Sequence, residues 1–138
     1  MTVVGQGTRS FFRLFDLLGP HHVKLLQTAK AKGDRLVVAV NNDFSVRALK
    51  GPDRPIRYLD ARTAMLMALE CVDAVFVFDG DVEPVIRNLA PVIYVKAEPR
   101  RKVRVSGKQC TERVVTLPRV RGESTTETIE RIRNGRRY

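Results

Sequence analysis

The sequence predicts an α/β fold, a parallel sheet with helices packed on both of its faces. Two observations carry this. Short β-branched or aromatic runs alternate with helix-spaced stretches along the chain, and one run, residues 35–40 (RLVVAV), is apolar without a break. An uninterrupted run of that kind suits a parallel strand covered on both sides. A chain of 138 residues, 43% hydrophobic, is long enough for a single domain with a core of its own. The expected domain spans 1–138, with a leader at 1–8, a basic loop at 97–111 and a basic tail at 135–138.

Residues 9–15 (RSFFRLF) read as the first strand, aromatic-rich but interrupted by Arg13. From His22 to Lys32, Val23, Leu26 and Ala29 recur at helical spacing, with Gly33 as the expected C-cap. Strand 35–40 completes a βαβ unit. Asn41 to Asp43 turn the chain into a short helix over 44–49, and the two prolines of 51–58 (GPDRPIRY) make that stretch a loop. A helix over 59–71 should bury Ala64, Met65, Ala68 and Leu69. Strand 73–78 follows, then a helix capped by Asp81 with Pro84 in its first turn, running to Leu89. Strands 92–96 and 113–117 flank the basic loop. The last helix, 124–134, opens with Ser124 and Glu127 in capping-box spacing and carries an apolar stripe of Ile129 and Ile132.

The net charge of +10 is unevenly placed: residues 96–138 carry 13 basic and 5 acidic side chains, against 12 and 10 in the rest. A basic end on a near-neutral body implies an anionic partner, whether nucleotide, nucleic acid or an acidic protein face, or else a solvated surface that aids solubility. The basic stretch has no interleaved aromatics, which disfavours specific single-strand binding. Cys71 and Cys110 stand alone without metal-ligand spacing and read as reduced thiols of a cytoplasmic protein. No apolar run approaches a signal peptide or a membrane span, so a membrane partner is not expected.

In an open parallel sheet, ligands bind beyond the carboxyl ends of the strands. The candidate residues gather there: the stretch from Arg13 to Val23, the Asn41–Asp43 turn, Lys96 at a strand end, and Ser124 at a helix start. A helix start exposes unpaired N–H groups and partial positive charge, which suits phosphate.

Phe15, Asp16 and His22 match the nucleotide-binding turn Gly-x-Phe-Asp-x-x-His-x-Gly-His, and the segment resembles that of the small cytidylyltransferases. Arg13 stands at the first Gly of that pattern, Gly19 at the first His and His21 at the second Gly. Further matches follow in order: residues 33–41 (GDRLVVAVN), Ser45 to Gly51 with Arg54-Pro55, Arg62, Val95-Lys96, and Arg119 to Thr126 (RVRGESTT). Glycerol-3-phosphate cytidylyltransferases and heptose-phosphate nucleotidyltransferase domains are the nearest likenesses. The resemblance implies a Rossmann-like three-layer sandwich with a five-stranded parallel sheet of the nucleotidylyltransferase type. It implies transfer of a nucleotidyl group from CTP, or ATP, to a small phosphorylated alcohol or sugar, with pyrophosphate leaving.

Under that resemblance His22, Lys50 and Arg119 are the catalytic candidates. The nucleotide-binding candidates are Phe15, Asp16, Gly19, His21, His22, Asp43, Arg62, Lys96, Ser124 and Thr125. Asp16 and Asp43 read equally well as turn formers or caps, and Ser124 is an N-cap on any reading. No resident metal is expected; Mg²⁺ should arrive with the bound nucleotide. A homodimer or larger assembly is the family default. The altered turn keeps a second reading open. Gly19 lacks an imidazole and His21 adds bulk, so the chain could be a catalytically impaired relative that binds nucleotide or anion, or a structural assembly protein that contacts nucleic acid through its basic end.

Overall fold

The computed structural model describes residues 8–12, 15–98, 108–118 and 124–136. Five strands form one parallel sheet: β1 (Thr8–Phe12), β2 (Arg35–Asn41), β3 (Ala74–Phe78), β4 (Ile93–Ala97) and β5 (Arg113–Leu117), in the order β3-β2-β1-β4-β5. The chain begins in the middle of the sheet, winds outward to β3, then returns to the other side of β1. Strand order therefore reverses between β1 and β4, and the crevice above their carboxyl ends is where this topology places ligands.

The helices are α1 (Pro20–Lys30), α2 (Asp43–Lys50), α3 (Leu59–Met67), α4 (Glu83–Leu89) and α5 (Thr125–Arg133). Alternation along β2 sorts them into layers. Leu36, Val38 and Val40 point to one face and meet Leu25, Leu26 and Ala29 of α1 and Leu66 of α3. Ala39 points to the other face and packs with Phe78 and with Val85 of α4. The continuous apolar run of β2 is thus buried on both sides, from Leu36 to Asn41.

Several boundaries differ from the sequence reading. Helix α1 ends at Ala31 in a right-handed conformation, so Gly33 is not its C-cap. Helix α3 stops at Met67 and buries Arg62 and Leu66, while Ala64, Met65 and Ala68 face outward. The expected apolar stripe is out of phase with the buried face, because Arg62 looks polar in a sequence yet belongs to that face. Helix α4 is capped by Val82, without a side-chain cap; Asp81 Oδ1 instead accepts the Glu83 N–H at 3.2 Å. Helix α5 forms its capping box as expected, but buries no residue and leaves Ile132 71% exposed. Phe15 lies beyond β1, buried, with φ +46°. Arg13, Arg119, leader residues 1–7, loop residues 99–107 and tail residues 137–138 lie outside the described residues.

Candidate functional site

The turn between β1 and α1 is built around two imidazoles. Gly19 is the N-cap of α1 and Pro20 its first residue, a position that suits proline because no N–H is needed there. The His22 ring folds back so that Nδ1 accepts the Gly19 N–H at 3.0 Å. Gly19 has no side chain to bond in return, so only half of a capping box exists. In a neutral ring this acceptor role places the proton on Nε2. His22 is 2% exposed; Phe15 meets it edge-on at 5.6 Å and His21 lies over it at 3.8 Å between ring centroids.

His21 does more than occupy a glycine position. A Cβ placed on Gly19 would lie 3.0 Å from His21 Nδ1 and 3.1 Å from its Cε1. The His21 imidazole therefore fills the volume that a side chain at position 19 would enter. Its two nitrogens are shielded from solvent. The helix start itself offers fewer backbone donors than expected: Pro20 has none, and the His22 and Val23 N–H groups both go to the Gly19 carbonyl. No acidic side chain sits in the first turn of α1, so its positive end is not neutralised from within.

The carboxylates predicted beside this turn are occupied in holding the fold. Asp16 is buried and accepts from Arg54 Nε at 2.6 Å, from the Ile56 N–H at 2.8 Å and from the Arg57 N–H at 2.9 Å. It ties loop 51–58 to the turn. Asp43 Oδ1 pairs with Arg62 Nη2 at 2.8 Å, and its Oδ2 accepts the Leu59 N–H at the start of α3. Arg62, 1% exposed, also donates to the carbonyls of Asn41 and Arg57. These contacts support the cap and turn readings of Asp16 and Asp43, and they make Arg62 an internal brace. Sequence reasoning missed the Asp16 partners, since an Arg in a proline-rich loop carries no sign of what it will pair with.

Lys96 is half-buried near the end of β4, where desolvation by burial pulls its ammonium below the usual lysine range. Lys50 is exposed at the last turn of α2, about 10 Å along the helix from its start. Ser124 is buried, and its hydroxyl accepts the Glu127 N–H while Glu127 Oε2 accepts the Ser124 N–H. That carboxylate faces the helix start beside Thr125, so an anion seated there would meet a negative charge. Among the described residues no three His, Cys, Asp or Glu side chains converge as metal ligands. None of the described helices is long and apolar enough to cross a membrane.

A cleft of about 610 Å³ opens on the face opposite α1. It runs from α2 and the 79–82 turn to Tyr94 of β4, and so crosses above the end of β1, the strand that leads into the histidine turn.

Residues 14–131 match the family model described as cytidylyltransferase-like. The chain is 46% identical over 126 residues to the bifunctional protein HldE of Geotalea uraniireducens, covering 88% of this chain and 26% of that protein. It is 47% identical over 127 residues to HldE of Methylococcus capsulatus, covering 88% and 27%. The chain thus spans about a quarter of the length of these relatives. Among solved structures, a lipopolysaccharide core biosynthesis protein from Thermoplasma volcanium superposes with a TM-score of 0.70 at 24% identity, over 82% of this chain and 97% of that one. Pantothenate synthetase from Thermus thermophilus superposes at 0.59 with 17% identity, over 84% of this chain and 57% of the other. The structural likenesses concern the fold; the match to the family model and the identity to HldE go further, and on them the chain belongs to the cytidylyltransferase-like family.

Proposed function

We propose that this chain is a nucleotidyltransferase that moves a nucleotidyl group from CTP or ATP to a small phosphorylated sugar or alcohol, releasing pyrophosphate. The observation that carries the reading is the exchange of positions in the turn. His21 folds its imidazole into the space above Gly19, so two imidazoles in contact, tilted 41° to each other, still stand at the start of α1. The departure from the family pattern then moves a histidine rather than deleting one.

In this reaction an acceptor phosphate oxygen attacks the α-phosphorus and the bond to the pyrophosphate oxygen breaks. No covalent intermediate on the protein is needed, so the chain supplies position and charge stabilisation. His22 holds the helix start through Nδ1, and its Nε2–H, with the His21 ring, donates to the polyphosphate. In surroundings shielded from water such donors act more strongly than in bulk solvent. Lys96, across the switch point from the turn, draws the phosphates toward β4, and its lowered affinity for a proton reflects a burial that a bound anion would offset. Lys50, Arg119 and Thr125 are assigned roles here by resemblance alone. Charge neutralisation of the polyphosphate would come from Mg²⁺ carried by the nucleotide, with no side chain of the described residues assigned to hold it.

Pyrophosphate release in the presence of Mg²⁺, either CTP or ATP, and a panel of aldose phosphates tests the reading. Turnover that falls about 10²–10³-fold in His21→Gly, with folding intact, is the expected result. A His21→Gly variant as active as the parent would sink the argument from the exchanged histidine, and absence of nucleotide binding in the parent would sink the reading as a whole.

A further inference from the structure

The backbone of the histidine turn is strained at Phe15. Its φ is +46°, in the left-handed region where a Cβ crowds the following carbonyl oxygen, yet the residue is bulky and buried. Ala90, the other described non-glycine residue with positive φ, closes α4, which accounts for it. Phe15 closes no helix. Strain of this kind persists only where the surroundings over-determine it, and it gathers at functional sites.

Asp16 follows Phe15 directly, and a carboxylate that cannot move fixes the peptide leading out of that residue. Unlike Asp79 and Asp81, which line the cleft opposite α1, Asp16 spends both oxygens inside the protein. Its Oδ1 accepts the Ile56 and Arg57 N–H groups, and its Oδ2 accepts Arg54 Nε at 2.6 Å. Only the Arg54 bond joins two opposite charges, and it is the shortest, so it is the strongest of the three. Arg62 Nε braces the same loop from behind, donating to the Arg57 carbonyl at 3.1 Å.

Phe15 in turn sets its ring against His22, with centroids 5.6 Å apart and planes at 64°. The bond from the Gly19 N–H to His22 Nδ1 demands one ring orientation, and that bond is what leaves the proton on Nε2. Gly19 and His21 belong to the helix start itself, whereas Phe15 reaches the imidazole from the strand side. We propose that Arg54 is a positioning residue for His22. By pinning Asp16 it keeps Phe15 left-handed and its ring against the imidazole, which holds the Nδ1 bond and so the Nε2–H tautomer. A residue of loop 51–58 thereby prepares the donor of the histidine turn. The catalytic consequence rests on the transferase reading; the tautomer does not.

Two-bond ¹H–¹⁵N correlation spectra of the ¹⁵N-labelled full chain read the tautomer directly at about pH 8, where imidazole is neutral. In the parent, His22 should show a bare Nδ1 and a protonated Nε2. Arg54→Ala leaves Asp16 its two backbone donors, so the fold is retained. It should draw the two nitrogen shifts together as both tautomers populate. It should also lower kcat for pyrophosphate release about ten- to a hundred-fold, with KM for nucleotide unchanged. Arg54→Lys should restore both readouts, because an ammonium can make a single bond of this kind, unlike a two-pronged one. Phe15→Leu keeps apolar bulk, leaves the Asp16 bonds alone and removes the aromatic contact. It should reproduce the tautomer mixture, and adding Arg54→Ala to it should change the spectrum no further. His22 shifts that stay at the parent's values in Arg54→Ala or in Phe15→Leu would overturn the inference, as would additive effects of the two changes. A tautomer that responds as expected, in a chain that transfers no nucleotidyl group to any acceptor phosphate, would keep the role of Arg54 and refute the transferase reading instead.

Discussion

Replacing Asp16 tests whether it acts as a latch or as a ligand. Asp16→Ala removes the acceptor for Arg54 Nε, at 2.6 Å, and for the Ile56 and Arg57 N–H groups. Asp16 is 1% exposed at its side chain and Arg54 13%, so the pair is buried on both sides. Breaking such a pair by deleting one partner costs about 3–5 kcal/mol when the survivor stays buried. Here Ile56 is 49% exposed and Arg57 is also at the surface, so the loop can swing toward water and rehydrate the freed donors. That relief lowers the expected loss to about 2–3 kcal/mol. Urea unfolding measures it directly, and hydrogen exchange at the Ile56 and Arg57 amides locates it. Asp16→Asn, which keeps an acceptor and loses the charge, should fall between the two. An Ala variant within about 0.5 kcal/mol of the parent, with both amides still protected, would refute the latch. Nucleotide affinity lost without any change in stability would make Asp16 a ligand after all.

Gly19→His alone should displace the His21 ring, which lies 3.0 Å from the position of the new Cβ, and weaken nucleotide binding. Combining it with His21→Gly should recover activity to within about ten-fold of the parent, whereas a double variant no better than His21→Gly would refute the exchange. Ser124→Ala removes the α5 cap and should cost about 1 kcal/mol in thermal or urea unfolding. Ala90 closes α4 at φ +41°, so Ala90→Gly should stabilise the chain by up to about 1 kcal/mol, read as a raised urea midpoint. Asp73 is partly buried, which alone would raise its carboxyl; hydrogen bonds from Lys30 and the Leu36 N–H outweigh this and hold it below the usual range. Its folded-state value is depressed, so its contribution is present above the ordinary aspartate range and fades as pH falls through the lowered one. Asp73→Asn should flatten that part of the acid-unfolding profile.

The element order was legible because it depends on local chemistry. The apolar run of β2 can only be a strand covered on both faces, and the spacing from Ser124 to Glu127 is itself the capping geometry of α5. The turn at 15–22 was legible as a candidate site because its residue types match a known pattern. What each residue does there was not legible. Whether His21 blocks the turn or restores it depends on a rotamer and on the empty space above Gly19, which arise only when the helix has formed. The buried face of α3 was not legible either, because Arg62 is buried through contacts with Asn41, Asp43 and Arg57 from other segments. Asp16 shows the same limit, since its partners lie 38 to 41 residues away. The sequence by itself determined the alternation of strands and helices and a parallel sheet covered on both faces, because periodicity and β-branching act over a few residues. Only the tertiary structure decided which carboxylates are consumed as latches and which still face a cleft, because that depends on pairings between segments far apart in the chain.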